Sequence, residues 1–174
     1  MGYLKIILGC MFAKKTTELL KCARAYKSLG LNVLIINHSS DTRYGENCII
    51  SHDNDSEASV FLEYLQDVNI QDYQVIIIDE GQFFSDLFEH VTLWADSFDI
   101  KIIVAGLSGN SDREPFGDML KLIPHADEII HLKAQCSLCG DGTPAIYSKF
   151  IGDGMPSIGS ETYVPVCRKH FKFS

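Results

Sequence analysis

Residues 3–16 read YLKIILGCMFAKKT, an apolar run that ends at a glycine and leads through a short loop to a threonine. A phosphate-binding loop has the pattern G-x-x-x-x-G-K-[ST] between a strand and a helix, and Gly9–Thr16 complies at seven of the eight positions. The exception is Lys14, which stands where the pattern has its second glycine and where a side chain must avoid a positive φ. We therefore predict a nucleotide-binding loop. The alternative is a basic helix start that binds no ligand.

The segments beyond this loop predict an α/β fold. Three further short runs rich in β-branched residues predict buried strands, and three segments with helical spacing lie between the strands. The alternation predicts a mostly parallel sheet flanked by helices, like that of P-loop NTPases. The predicted strands are Tyr3–Leu8, Asn32–Ile36, Val75–Ile78 and Ile100–Ala105, and the predicted helices are Thr16–Leu29, Ser56–Leu65 and Phe84–Ser97.

Two carboxylates follow the predicted strand Val75–Ile78. Ligands of open α/β sheets bind at the carboxyl ends of the strands, which places Asp79 and Glu80 beside the loop after the first strand. Asp79 is then suited to hold Mg²⁺ together with the Thr16 hydroxyl, and Glu80 is suited to accept a proton from a hydroxyl substrate. A solvated strand end without function is the alternative.

Composition and charge exclude several classes of protein. The 174 residues include 15 basic and 23 acidic side chains, giving a net charge of −8, which argues against a nucleic-acid partner or an anionic membrane surface. No apolar run approaches the ~18 residues needed to span a bilayer, and residues 1–9 do not resemble a signal peptide. We expect a cytoplasmic protein.

The last forty residues lack the long periodic segments of the preceding chain and contain many glycines and short strand-like pieces. Cys136-x-x-Cys139 and Cys167-x-x-His170 offer four ligands to one tetrahedral structural Zn²⁺, and a Cys136–Cys139 disulfide is the competing interpretation. We expect a nucleotide-binding core over residues 1–133 and a zinc-binding subdomain over residues 134–174.

Several motifs together resemble one family. They are GCMFAKKTTEL (9–19), DTRY (41–44), SHD (51–53), VIIIDEGQFF (75–84), VAGLSG (104–109), REPFG (113–117), the C-x-x-C pair and YVPVCRKH (163–170). In this order they resemble the thymidine kinases of the cellular, bacterial and poxvirus type over nearly the entire chain. The resemblance implies transfer of phosphate from ATP to the 5′-hydroxyl of thymidine, with Mg²⁺, a structural Zn²⁺ and a homotetramer or homodimer.

The resemblance also implies roles for individual residues. Glu80 would be the catalytic proton acceptor, Thr16 and Asp79 would hold magnesium, and a lasso-like lid loop would close over thymidine. The ATP phosphates would be bound by Gly9, Cys10, Met11, Phe12, Ala13, Lys14, Lys15, Thr16, Asp41 and Arg43. The nucleoside would be bound by Met11, Gln82, Phe83, Leu107, Ser111, Ser148, Ile158, Gly159, Ser160, Glu161 and Tyr163.

The chain departs from the family pattern at functional positions. Besides Lys14, it has Cys10 in place of proline, Ser108 in place of aspartate, Ser111 in place of phenylalanine and Phe150 in place of the common arginine. Two alternatives therefore remain beside full activity. One is a divergent nucleotide-binding protein with weak or altered nucleoside kinase activity. The other is a phosphate-loop ATPase of the recombination type, which would usually carry basic features that this acidic chain lacks.

Overall fold

The computed structural model describes residues 1–41, 48–50, 56–153 and 162–171. Two α-helices are present in these ranges, α1 (Lys15–Ser28) and α2 (Leu87–Ser97), with short 3₁₀ helices at Leu65–Asp67, Gly81–Phe83 and Met119–His125. The strands are β1 (Tyr3–Gly9), β2 (Val33–His38), β3 (Cys48–Ile50), β4 (Ser56–Ala58), β5 (Val60–Leu62), β6 (Val75–Ile78), β7 (Lys101–Leu107), β8 (Glu128–Leu132), β9 (Ala134–Gln135), β10 (Pro144–Ala145), β11 (Tyr147–Phe150) and β12 (Tyr163–Val166).

Six of the strands form one sheet in the order β5-β2-β6-β7-β1-β8, and each neighbouring pair in it is parallel. The predicted α/β architecture is thus confirmed. Because all strands point the same way, the ends of β1, β2, β6 and β7 meet at one edge of the sheet. The loop after β1 and the carboxylates after β6 lie at this edge.

Side chains alternate between two cores, one on each face of the sheet. On one face, Leu19, Leu20 and Ala23 of α1 pack against strand residues that include Ile7 and Ile77. On the other face, Val91 and Trp94 of α2 pack against residues that include Ile6 and Ile76. Burial on both faces is why these strands are continuous apolar runs in the sequence.

The helix predicted over Ser56–Leu65 is wrong. Ser56–Ala58 pairs antiparallel with Cys48–Ile50, and Val60–Leu62 pairs parallel with the end of β2. The backbone of β2 needs hydrogen-bond partners on that side, and Val60 and Phe61 belong to residue types that favour strands. Pairing at the sheet edge therefore outweighs a weak helical pattern over ten residues.

Residues 134–174, called here the C-terminal subdomain, contain two small antiparallel ribbons, β9 with β10 and β11 with β12. A third buried cluster lies between this subdomain and the loop after β1, joining Cys10 and Ala13 to Ala145 and Val166. The division of the chain near residue 133 stays a prediction. Within the described ranges, no helix is long and apolar enough to span a bilayer.

Candidate functional site

The loop between β1 and α1 packs closely against the rest of the chain at Gly9. A Cβ atom on Gly9 would lie 2.8 Å from the Leu132 carbonyl oxygen and 3.0 Å from the Ala13 Cβ, so the chain approaches its neighbours too closely for a side chain there. Lys15 is buried, and its Nζ donates a hydrogen bond to the Cys10 carbonyl oxygen at 3.0 Å. The ammonium group therefore lies against the inner side of the loop at the start of α1.

Lys14 has a left-handed backbone, with φ 60° and ψ 33°. This is the conformation that glycine adopts without penalty, and it costs other residues about 1–2 kcal/mol. Phe12 in the same loop also has a positive φ, of 63°. The loop thus keeps a glycine-like shape at Lys14 and stores backbone strain there.

The carboxylate of Asp79 connects the phosphate loop to the end of β6. The Thr16 hydroxyl donates to Asp79 Oδ2 at 2.8 Å, and the Glu80 N–H donates to Asp79 Oδ1 at 3.0 Å. Burial, followed by the charge of Glu80, raises the pKa of Asp79 to about 6, against the opposing effects of Thr16 and Lys15. A hydroxyl and a carboxylate oxygen at this separation form a donor set that suits a hard cation such as Mg²⁺.

Gln82 fixes the orientation of Glu80. Its side-chain amide donates to the Glu80 carboxylate, and its Oε1 accepts the Leu107 N–H at 3.0 Å. Glu80 itself has a left-handed backbone with φ 52°, and a Cβ atom on Gly106 would lie 2.8 Å from Gln82 Oε1. The position of Glu80 is therefore set by a buried amide that also contacts the end of β7.

A row of aromatic rings continues from Glu80 toward the next loop. The Phe83 ring lies 5.5 Å from the Phe116 ring and 5.7 Å from the His38 ring, and His38 is also 4.7 Å from Phe84. Burial lowers the pKa of His38, which favours its neutral form. Phe83, between Phe116 and His38 in this row, is half-buried, which leaves part of its ring available to a ligand.

Asp41 is buried just after β2, where its Oδ2 accepts a hydrogen bond from Asn37 at 2.9 Å. Ser111 lies half-buried in the loop after β7. The remaining predicted residues of this region, Arg43, Ile158, Gly159, Ser160 and Glu161, lie outside the described residues.

The C-terminal subdomain contacts the phosphate loop directly. The Met11 N–H donates to the buried Ser148 hydroxyl at 2.9 Å. The Cys10 thiol donates to the Ala145 carbonyl oxygen at 3.5 Å. Tyr163 packs against Phe150 with ring centroids 5.3 Å apart. The structure thus brings Met11 and Ser148, two of the predicted nucleoside-binding residues, into direct contact.

An open pocket of about 830 Å³ lies on the outer side of the phosphate loop. Its lining combines the start of α1 with the segment after β8 and the strand β12. The residues include Phe12, Lys14, Lys21, Lys133 and Tyr163.

Cys136, Cys139, Cys167 and His170 converge on one point, with their ligand atoms all within 4.8 Å of one another. The His170 Nδ1 lies 3.5 Å from Cys136 Sγ, 3.3 Å from Cys139 Sγ and 3.6 Å from Cys167 Sγ, and the last two sulfurs are 3.7 Å apart. Tetrahedral zinc would separate two sulfurs by about 3.8 Å and a sulfur and a nitrogen by about 3.6 Å. The cluster therefore has the dimensions to hold a zinc ion.

The ligand thiols of this cluster differ in their pKa: burial, together with the neighbouring thiols of Cys136 and Cys167, raises the pKa of Cys139 to about 11. Burial opposes ionisation of Cys136, but hydrogen bonds from the backbone N–H groups of Cys167 and Leu138, and from His170, lower its pKa to about 6. Metals bind the thiolate form of cysteine. All six cysteines are free thiols, so the alternative Cys136–Cys139 disulfide is not formed.

Comparison with known proteins agrees with this arrangement. The sequence matches the family model described as thymidine kinase over residues 2–171. It is 41% identical to the thymidine kinase of Yaba monkey tumor virus, in an alignment covering 96% of this chain and 93% of that protein.

The chain belongs to the thymidine kinase family. Two further relatives are each 36% identical. The thymidine kinase of rabbit fibroma virus aligns over 99% of this chain and 97% of its own, and the thymidine kinase of rice over 98% and 66%. The family membership inferred from the motifs is confirmed.

Two polar residues at this edge of the sheet are not indicated by any of the sequence motifs. Asn37 and His38 end β2 and are buried, and Asn37 holds Asp41. The available signal was two polar residues directly after the apolar run VLII, at the strand end where ligands bind.

Proposed function

We propose that this member of the thymidine kinase family transfers the terminal phosphate of ATP to the 5′-hydroxyl of thymidine. The observation that carries the proposal is the 2.8 Å hydrogen bond between Thr16 of the phosphate loop and Asp79, with Glu80 as the next residue. This bond joins a phosphate-binding element to a candidate proton acceptor at one edge of the sheet.

The phosphate loop supplies the donor site. Backbone N–H groups of Gly9–Thr16 and the positive end of α1 attract phosphate oxygens, and Lys15 adds a buried positive charge. The pocket of about 830 Å³ beside the loop has room for the base and sugar of the donor nucleotide. Asp41, and Arg43 from the segment outside the described residues, complete the proposed phosphate site.

Thr16 and Asp79 are the residues that would hold Mg²⁺. When bound, the ion neutralises charge on the phosphates during transfer. The raised pKa of Asp79 reflects burial beside Glu80, and a cation in contact with its oxygens would favour the charged form. The donor set therefore fits the ion.

Glu80 is the proposed acceptor of the proton from the nucleoside hydroxyl. A carboxylate in this role must be held within hydrogen-bond reach of the hydroxyl, and the amide of Gln82 fixes its direction. The orientation of Glu80 matters for the direction of attack, because the attacking oxygen must lie in line with the leaving group.

The nucleoside lies in this proposal between two walls. Gln82, Phe83 and Leu107 form the wall of the α/β core, together with Ser111. Ser148 and Tyr163, with Met11 of the phosphate loop, form the opposite wall, and residues 158–161 would close over the base. The zinc ion would hold the opposite wall in place without taking part in the reaction, because four protein ligands leave no open position.

The proposal is tested by incubating the purified protein with ATP, Mg²⁺ and thymidine and measuring thymidine monophosphate. We expect product that carries phosphate at the 5′ position, and ATP consumption that depends on thymidine. ATP consumption without nucleoside dependence would contradict the proposal. Deoxyuridine and deoxycytidine tested in parallel would define the nucleoside preference.

The strained backbone of Lys14 favours a second candidate, a nucleoside kinase with weak activity. In that case Lys14→Gly should raise kcat/KM for ATP, because the loop would reach its binding geometry without strain. An unchanged kcat/KM in this variant would exclude the loop as the cause of any weakness. The expected homotetramer or homodimer and the expected cytoplasmic location stay predictions, the first to be measured by light scattering.

A further inference from the structure

We infer that Arg113 is a positioning residue that holds the C-terminal subdomain against the loop after β7 and thereby sets the spacing of the two nucleoside walls. The inference rests on the proposed function for the identity of the ligand, but the contact itself lies outside the groups that react.

The loop after β7 presents Arg113 from a rigid turn. The side-chain oxygen of Asn110 accepts the N–H groups of Asp112 and Glu114, each at 2.9 Å. The Arg113 N–H donates to the Asn110 carbonyl oxygen at 3.1 Å, and the Asn110 N–H donates to the Glu114 carbonyl oxygen at 3.0 Å. These four bonds close the turn around Asn110 and leave Arg113 at its tip.

From this tip the Arg113 guanidinium reaches two rings of the C-terminal subdomain. Its central carbon lies 4.8 Å from the Phe171 ring centroid and 5.5 Å from the Tyr147 centroid. Both distances are within the range of cation–π attraction. Arg168 also lies over the Tyr147 ring, at 5.3 Å, but both residues belong to the subdomain, so this contact does not link the subdomain to the core.

Each of the two rings belongs to a residue next to a group that holds the subdomain in place. Tyr147 immediately precedes Ser148, which accepts the Met11 N–H of the phosphate loop. Phe171 immediately follows the candidate zinc ligand His170, and its N–H donates to the carbonyl oxygen of the ligand Cys167 at 3.0 Å. The rings are 5.0 Å apart, so one guanidinium contacts both the ligand-bearing turn and the strand that carries Ser148.

The backbone at Arg113 indicates that the contact matters. Its φ is +67°, a left-handed conformation that a side chain of this type adopts only when its surroundings enforce it. Glycine would fit the turn with less strain but could not reach either ring. The strained backbone at this position therefore directs the planar guanidinium toward the subdomain.

The same loop begins just after Leu107 and contains Ser111, both assigned to the core wall of the nucleoside pocket. Arg113 thus ties the core wall to the subdomain wall. Removing its side chain should let the walls move apart while every group of the phosphate loop, Glu80 and the zinc ligands stays present.

The test compares Arg113→Gly with Arg113→Lys in zinc-loaded protein. Glycine suits the positive φ, so the turn should stay folded while both ring contacts are lost. We expect the KM for thymidine to rise about three- to tenfold in Arg113→Gly, with kcat within about twofold, and an intermediate KM in Arg113→Lys, which keeps the cation. Arg168→Ala is the matched control, because it removes the other cation from the Tyr147 ring, and its KM should match the wild type.

Two outcomes would overturn the inference: an unchanged thymidine KM in Arg113→Gly, or an equal rise in Arg168→Ala. A measurement that does not depend on enzyme activity distinguishes failure of this inference from failure of the proposed function. If the wild-type protein does not phosphorylate thymidine, the proposed function fails, and amide hydrogen exchange then decides on Arg113. Faster exchange of residues 145–150 in Arg113→Gly than in Arg168→Ala supports the positioning role, and equal exchange contradicts it.

Discussion

At the carboxyl edge of the parallel sheet, Thr16, Asp79 and Glu80 are placed by strands whose large apolar side chains are buried on both faces. The C-terminal subdomain contains only short ribbons, and the cluster beneath it consists mainly of alanines, cysteines and one valine. Burial of apolar surface can stabilise the first region, but the C-terminal subdomain buries too little apolar surface to be stabilised in this way alone. The candidate site therefore combines a part that folds through its core with a part in which a Cys3His cluster able to hold a metal and a few specific contacts join short ribbons.

The largest effect should come from the core side of the site. Glu80→Gln should lower kcat about 100- to 10,000-fold, because the variant cannot accept the proton from the hydroxyl. The zinc content and the unfolding temperature should change little, since the amide can still pair with Gln82. Steady-state kinetics with calorimetry would check both, with Glu89→Gln on the exposed side of α2 as control. A kcat near that of the wild type would show that Glu80 is not the proton acceptor.

Zinc removal should act mainly on the other region. Chelation, or Cys139→Ser, should weaken thymidine binding about 10- to 100-fold through loss of the wall that holds Ser148 and Tyr163. ATP binding should weaken only about fivefold, the value of one hydrogen bond, because Met11 loses its bond to Ser148. Calorimetric titration with each ligand measures the difference.

Re-addition of zinc should restore thymidine binding after chelation, and Cys22→Ser should behave as the wild type. Equal losses of the two ligands, or no loss of thymidine binding, would contradict the division of the site into two separately stabilised parts.

The burial of Asp79 should make the core less stable at neutral pH when magnesium is absent. Its pKa of about 6 in the folded protein exceeds the value of about 3.9 in an unfolded chain, so the folded state binds the proton more tightly. This contribution is complete below pH 4 and is lost as the pH rises through 6, by up to about 3 kcal/mol. Asp79→Asn should lack this loss.

Denaturant unfolding at pH 4, 6 and 8 without divalent cations would measure the effect. The stability of Asp79→Asn relative to the wild type should increase with pH. A difference that stays constant over this range would show that Asp79 titrates at its ordinary pKa.

The smallest effect concerns strain in the phosphate loop. Lys14→Gly should stabilise the protein by about 1 kcal/mol and raise the unfolding temperature by about 2–4 °C, because glycine adopts the positive φ freely. Lys14→Ala removes the same side chain but keeps the strain, so its unfolding temperature should stay near that of the wild type. If both variants gain equally, the side chain and not the backbone is responsible.

The sequence predicted the parts of the fold that depend on local patterns. Val75–Ile78 was located at its observed bounds, and the predicted helix at Thr16–Leu29 differs from α1 by one residue at each end. The strand β8 was not predicted, because its side chains are mostly exposed or half-exposed at the edge of the sheet and give no buried run. The same holds for β5, which exists through its pairing with β2.

For the site, the contact between Thr16 and Asp79 followed from a general rule about strand ends. The bond from Met11 to Ser148 and the ring contacts of Arg113 could not be predicted from the residues. They depend on how an irregular subdomain docks on the core, which no periodicity in the sequence encodes. The assigned roles of these residues stay predictions until the variants are measured.

The bond between Met11 and Ser148 joins positions 137 residues apart in the chain. During synthesis from the N-terminus, the phosphate loop leaves the ribosome long before its partner does, and such distant contacts form late because they close a long loop. A nascent chain that ends before residue 148 can build β1 and α1 but lacks this restraint on the loop. The arrangement around Met11 thus requires a chain that extends past residue 148, and a product interrupted before that residue would lack it.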